Sequence, residues 1–259
     1  MLKKAGSATA LPLHIDSVKR HLVIDHADDD ILIESYIDSA TQWVENHCER
    51  ALVQQSWQHK QDSFCTKIKV CRLPMLAVDS IQYLDSDNVE QTVPEESYRV
   101  GLESGRVLLK NNATWPSVPS AEEGISVNFQ SGYLVPLTVE FAANTLTANG
   151  LGFSDDQVII LSTNHTLPAG LNNKNPYFVI NSTGSNFQLS LTQGGAAVEF
   201  TDSGTGDCFA GELSTAIQHA LLLLIGHWYN SRENSMVGSV SHEIPMGVES
   251  LLQPYRVYA

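Results

Sequence analysis

Nine histidines and one run of carboxylates are the groups in this chain with the means to do chemistry. The histidines are His14, His21, His26, His47, His59, His165, His219, His227 and His242, and His26 with Asp28, Asp29 and Asp30 is the nearest thing to a catalytic cluster. A general acid or base needs its carboxylates held apart in a cleft. A helix start explains the same run, because free N–H groups and the helix dipole favour carboxylates there. His219 and His227 are separated by about two helical turns, too far to share a metal ion directly. Cys48, Cys65, Cys71 and Cys208 have neither zinc-knuckle nor redox-pair spacing and are expected to be reduced, mostly buried thiols. Gly204-Thr205-Gly206-Asp207 holds a G-x-G, but in a turn-rich stretch with no helix behind it. No glycine-rich phosphate loop, H-E-x-x-H or nucleophile elbow is present. The expectation is therefore a protein without enzyme activity, catalytic residues, cofactor or metal.

The bulk numbers narrow the class. The 259 residues suffice for one large or two small domains. The net charge is −14 and no basic run exceeds Lys3-Lys4, so gripping nucleic acid by its phosphates is excluded as a main activity. An acidic surface would instead keep passing DNA from sticking. Apolar residues make up 42% and charged residues 17%, a low charge content that fits surface hidden in contacts. No apolar run reaches membrane length, and Lys3-Lys4 is not followed by the apolar core of a signal peptide. Folding in a cytoplasm, with no membrane partner, is expected.

The elements that must position these residues follow from periodicity. Residues 1–12 read as loose. Ile15, Val18 and Leu22 share one face of a short helix. The segment Asp25–Asp30 opens a second helix whose apolar positions are Leu32, Tyr36, Ile37, Ala40, Val44 and Cys48. From Trp57 to Phe129 the period changes to two. Strands are predicted at Trp57–Gln61, Ile68–Val70, Val78–Tyr83 and Ile125–Phe129, with a hairpin of Tyr98–Val100 and Arg106–Leu109 and a break at Leu73-Pro74. Residues 137–210 carry one basic residue, Lys174, against Glu140, Asp155, Asp156, Glu199, Asp202 and Asp207. Short strands are predicted there at Val158–Leu161, Tyr177–Ile180, Phe187–Leu191 and Ala197–Phe200, as an inserted all-β module; one continuous β domain is the alternative.

The late helix Leu213–Arg232 is apolar on nearly every face from Ala220 to Ile225 and ends in Trp228 and Tyr229. A surface helix needs only one apolar stripe. This one is either buried in its own domain or shared with another subunit, with Leu221, Leu224, Ile225, Trp228, Tyr229 and Arg232 as its core and interface residues. The Arg232 stem is expected over Trp228, its guanidinium on a carboxylate or the helix end. A polar link, Glu233–His242, leads to a short helix at Val248–Leu252 and a half-apolar tail without an obvious partner in its own chain. The fold class is α+β: a small helical bundle of the long buried helix and the N-terminal helices, a small β region, and the inserted all-β domain. The division is 1–136 together with 212–259 as core, and 137–211 as insert.

Four segments, in this order and spacing, resemble the head–tail connector (adaptor) proteins of tailed bacteriophages. They are Leu11–Trp57, Leu73-Pro74 with Val78–Asp85, Tyr98-Arg99-Val100 with Trp115-Pro116 and Gly132-Tyr133, and His219–Glu233 with Glu243–Val257. In the simple family pattern the final helix soon follows Gly132-Tyr133; here Leu137–Gly211 intervenes, resembling a small β module of phage virion proteins. The resemblance implies a structural protein of the virion neck, made in the bacterial host cytoplasm. It implies a ring of about twelve copies with the portal protein above, a stopper or tail protein below, and double-stranded DNA passing through the bore without specific binding. On that reading Asp25, Asp28, Asp29, Asp30 and Glu34 are candidates to face the channel. Pro254, Tyr255, Arg256, Val257 and Tyr258 are candidates to dock on the portal. Rival readings are a tail or baseplate component, and a carbohydrate- or receptor-binding protein acting through the insert.

Overall fold

The computed structural model describes residues 1–118, 123–232 and 246–257. Its contacts divide the chain into two compact units, Met1–Ala8 with Glu49–Tyr133, and Thr9–Cys48 with Leu134–Ala259.

The first unit is all β. Strands β1 (Leu2–Gly6), β2 (Gln55–Gln61), β3 (Lys67–Lys69), β4 (Met75–Leu84), β5 (Glu90–Thr92), β6 (Tyr98–Gly101), β7 (Arg106–Leu109) and β8 (Ile125–Ser131) form two sheets. The larger has the order β1-β2-β8-β4-β5 and the smaller β3-β7-β6, and every pairing is antiparallel. Alternation sends one side chain in two inward. Trp57, Ile68, Ile81, Tyr98, Val107, Val127 and Phe129 thus meet in one core drawn from both sheets. The predicted hairpin is the β6–β7 pair, Val100 opposite Val107. The Leu73–Pro74 peptide is cis. At Gly132 a Cβ would come within 2.5 Å of the Gln54 amide nitrogen, so the chain can turn there only without a side chain.

The N-terminus corrects one expectation. Residues 2–6 are not loose but form β1, paired with β2 from Leu2 opposite His59 to Gly6 opposite Ser56. The Lys60 amide donates to the Met1 carbonyl at 2.7 Å. Without this strand the outer edge of β2 would present unpaired N–H and C=O groups.

The second unit mixes helices with a closed barrel. The helices are α1 (Ile15–Leu22), α2 (Asp30–Cys48), α3 (Thr215–Asn230) and α4 (Met246–Leu252). The barrel strands are β9 (Val135–Glu140), β10 (Thr145–Ala148), β11 (Val158–Thr163), β12 (Pro176–Thr183), β13 (Asn186–Ser190) and β14 (Cys208–Ala210), in the closed order β10-β13-β12-β11-β14-β9. Leu146, Leu161, Tyr177, Val179, Phe187, Leu189 and Phe209 fill its interior. Closure removes the edges that six short strands would otherwise expose. Ala197–Phe200 is not a strand. The closing pairs come from β9, β10 and β14, which alternation alone did not single out.

Helix α3 packs against α1, α2 and α4. Ile217, Ala220, Leu221, Leu224 and Ile225 are each no more than 1% exposed within the single chain. Each buried leucine or isoleucine contributes on the order of 1.5–3 kcal/mol. Of the two origins open for the apolar segment, burial in its own chain accounts for this part of it. Leu222, Leu223, His227, Trp228 and Tyr229 remain half-buried. In α2 the buried stripe is Ile33, Ile37, Ala40, Thr41, Val44, Glu45 and Cys48. Ile33 therefore takes the inward place expected of Leu32 and Tyr36, which are half-buried.

The tail also departs from expectation. The Val257 amide donates to the Cys48 carbonyl at the end of α2 at 3.0 Å, and the Ser214 and Tyr255 hydroxyls hydrogen-bond. A helix end leaves its last carbonyls unsatisfied, and the returning chain supplies a donor. Glu233–Pro245 and Tyr258 lie outside the described residues.

Candidate functional site

The acidic run sits where α2 begins, and its members differ. The Ile33 amide donates to the Asp29 carbonyl at 2.9 Å, closing the first turn. The Asp29 carboxylate accepts from the Tyr229 hydroxyl at 2.6 Å and from the Arg232 guanidinium at 3.1 Å. The Tyr229 hydrogen bond first, and Arg232 after it, hold the Asp29 carboxyl below its usual range; the same bond pushes the Tyr229 phenol up. Asp30 accepts from Lys19 of α1 at 2.7 Å. Asp25, Asp28 and Glu34 are exposed. The five candidate channel acids are thus two side chains tied to α1 and α3, and three open to solvent.

Arg232 pairs with a carboxylate, as expected of its guanidinium. The partner is Asp29, and the guanidinium also lies over the Tyr229 ring, 4.8 Å from the centroid. Trp228 instead lies beside Tyr36 of α2, with ring centroids 6.3 Å apart. The aromatic pair at the end of α3 is therefore divided, one ring to α2's flank and one hydroxyl to α2's start.

His26 stands 3.8 Å from Asp28, and Asp28 is 94% exposed, so the two lie at the surface rather than in a cleft. The G-x-G is a packing device. Thr166 and Thr205 exchange backbone hydrogen bonds at 3.0 and 2.9 Å, and a Cβ on Gly204 would meet the Thr166 carbonyl oxygen at 2.5 Å. None of the four cysteines is in a disulfide. Burial pushes the Cys208 thiol up to about 12, whereas Cys65 is exposed, against the expectation of mostly buried thiols.

A second polar cluster lies at the start of α1. His14 caps the helix: its Nδ1 accepts from the Asp16 amide at 3.3 Å. His165, from the segment between β11 and β12, places Nε2 3.1 Å from Asp16 Oδ2. Its Nδ1 lies 2.6 Å from the Thr205 hydroxyl and 2.9 Å from that of Thr166. The His14 and His165 rings meet edge to face, with centroids 4.6 Å apart. Beside them is an open cleft of about 570 Å³ lined by Asp16, Lys19, Arg20, Ile24, Asp25, His165 and Thr166. The grouping was not legible in the sequence. His14 and Asp16 are neighbours in the chain, but nothing local marks His165 as their partner.

Residues 13–75 match the family described as phage gp6-like head-tail connector protein. No curated protein matches the chain. Among solved structures, a chain from the neck of an empty gene transfer agent (GTA) particle, computed with C6 symmetry, is similar at a TM-score of 0.58 and 16% identity. The match covers 100% of this chain and 96% of that one. A chain from the neck of the native particle, computed with C12 symmetry, matches over the same shares at 0.55 and 16%. A chain of the native GTA virion gives 0.57 and 16%, again over 100% and 96%. Among the described residues no helix is long and apolar enough to cross a membrane. The resemblance to phage head–tail connectors is thereby borne out over residues 13–75, and the whole chain shares the fold of these GTA particle chains.

Proposed function

We propose that this chain is a structural component of a phage-like particle neck, a head–tail connector that assembles into a ring beneath the portal. The observation that carries this reading is the fold agreement along the entire chain, barrel included, with neck proteins of a GTA particle. The connector match at residues 13–75 supports it independently. Twelve copies follow the C12 symmetry of one of those necks. The ring would extend the DNA channel and offer a platform to a stopper or tail protein, with no catalytic step.

The charge suits a conduit. Twelve chains of −14 would carry about −170 before counterions, so duplex DNA would slide rather than bind. Asp25, Asp28 and Glu34 are the stronger candidates for the bore, since Asp29 and Asp30 already have cationic partners in their own chain. The half-buried Leu222, Leu223 and Trp228 are the part of α3 left for a neighbouring subunit. Pro254–Tyr258 would reach the portal only by exchanging the in-chain contact of Val257 for a new one. Residues 137–211, taken as the insert, would project outward, because a module of that size on the axis would obstruct the bore.

Mixing the full chain with tailless, portal-bearing heads and imaging the product tests the reading. A ring of about twelve copies under the portal, with a bore wider than the ~20 Å of a DNA duplex, is expected. A particle neck resolved at side-chain detail without this chain on the DNA path would overturn it.

A further inference from the structure

We propose that His14, Asp16 and His165 form a binding site for a divalent first-row transition-metal ion of the zinc class. Their donor atoms lie within 4.8 Å of one another. His14 Nδ1 is 3.5 Å and His165 Nε2 3.1 Å from the same carboxylate oxygen, Asp16 Oδ2. Ligands about 2.0–2.2 Å from a tetrahedral ion sit about 3.4 Å apart, close to both of the distances to Asp16. Two imidazoles and a carboxylate suit zinc and its neighbours rather than magnesium or calcium, which prefer oxygen.

The hydrogen bonds give a second reason. The Asp16 amide donates to His14 Nδ1, so in the neutral ring that nitrogen carries a lone pair. The amide engages that lone pair, so an ion taken up at Nδ1 replaces this hydrogen bond. On His165 the far nitrogen is held by the Thr205 and Thr166 hydroxyls, which fixes the ring and leaves Nε2 directed at Asp16. Metal-bound histidines characteristically have such an outer partner. Lys19 and Arg20 line the adjoining cleft. Lys19 is neutralised by Asp30, and Arg20 donates to the Asp16 carbonyl and the Ser17 hydroxyl, away from the ligand carboxylate. The three side chains are between 29% and 54% exposed, which leaves a position for water as a fourth ligand.

Such an ion would clip the start of α1 to the β11–β12 connection of the barrel, where Asn164 already donates to the Leu11 carbonyl at 3.1 Å. The site is independent of the neck assignment, and its test does not need the assembled particle.

The full chain is titrated with Co²⁺, whose visible absorption reports low-coordinate nitrogen and oxygen ligation, and Zn²⁺ is then used to displace it. One ion per chain is expected, with a thermal midpoint raised by Zn²⁺ and restored by a chelator. His165→Ala and His14→Ser should weaken binding by tenfold or more. Serine is itself a good helix cap, so the second variant keeps the start of α1 intact. Thr205→Val should cost about tenfold through the orientation of His165. His219→Ala, on an exposed site of α3, should change nothing. Failure to bind one ion, or binding in His14→Ser and His165→Ala as tight as in the unaltered chain, overturns the proposal. Stabilisation that follows pH alone and ignores metal makes the occupant a proton and overturns it too.

Discussion

At the start of α2, the Asp29 carboxylate accepts from a phenol and a guanidinium delivered by the end of α3. At the start of α1, the Asp16 carboxylate faces two imidazoles, one of which already accepts a hydrogen bond on the nitrogen nearest to it. Both clusters pair a helix N-terminus with residues about 150 to 200 positions away, yet they have opposite character. The first is closed, since donors and acceptors match within the chain. The second gathers metal-ligating atoms, with a carboxylate and two imidazoles offering theirs within 4.8 Å of one another. Acidic residues at a helix start are thus no single kind of feature. What they do depends on whether the fold returns donors or further lone pairs to them.

The comparison can be broken most severely from beneath. Leu224→Ala empties a fully buried position on α3, which packs against both α1 and α2, and should cost about 2–5 kcal/mol. Chemical denaturation reads that loss, and Tyr229 should then become accessible in the variant. A smaller effect separates the two clusters. Asp29→Asn should lower the thermal midpoint with or without metal, because it removes the charge that Arg232 and Tyr229 meet. Asp16→Asn should cost little in metal-free buffer and abolish the rise produced by Zn²⁺. Equal behaviour of the two variants would erase the distinction.

Acidity sharpens it further. Because the Asp29 carboxyl is held below its ordinary value in the fold, its contribution is complete above that ordinary value. It is lost as pH falls through the lowered one. A stability profile across that acid range should be flatter in Asp29→Asn. The smallest expected change is at high pH. The Tyr229 phenol is raised, so its contribution holds below the ordinary tyrosine value near ~10 and fades as pH climbs through the raised one. Tyr229→Phe should remove that alkaline step while leaving the acid limb, carried also by Arg232, partly in place.

Much of the framework was legible because helix and strand periods are local. The limits of α1 and the hairpin of β6 and β7 came directly from spacing. The closing strands β9, β10 and β14 were missed, and Ala197–Phe200 misread. Strands of four and three residues, β10 and β14, carry too few alternations to rise above the surrounding threonine- and glycine-rich chain. Residues 2–6 read as loose because a polar edge strand is defined by its partner, not by its own pattern. The apolar face of α3 was recognised, but period alone could not say that α1, α2 and α4 of the same chain cover most of it.

By itself, then, the order of residues determined an acidic α+β protein, the positions of its main helices and its likeness to head–tail connectors. Only the tertiary structure decided that Asp29 belongs to Tyr229 and Arg232, that the tail returns to Cys48, and that His165 comes to His14 and Asp16. The reason is physical. Periodicity is set by neighbours a few residues apart, whereas the partner of a buried or half-buried polar group is whichever distant segment the packed core brings within hydrogen-bonding reach.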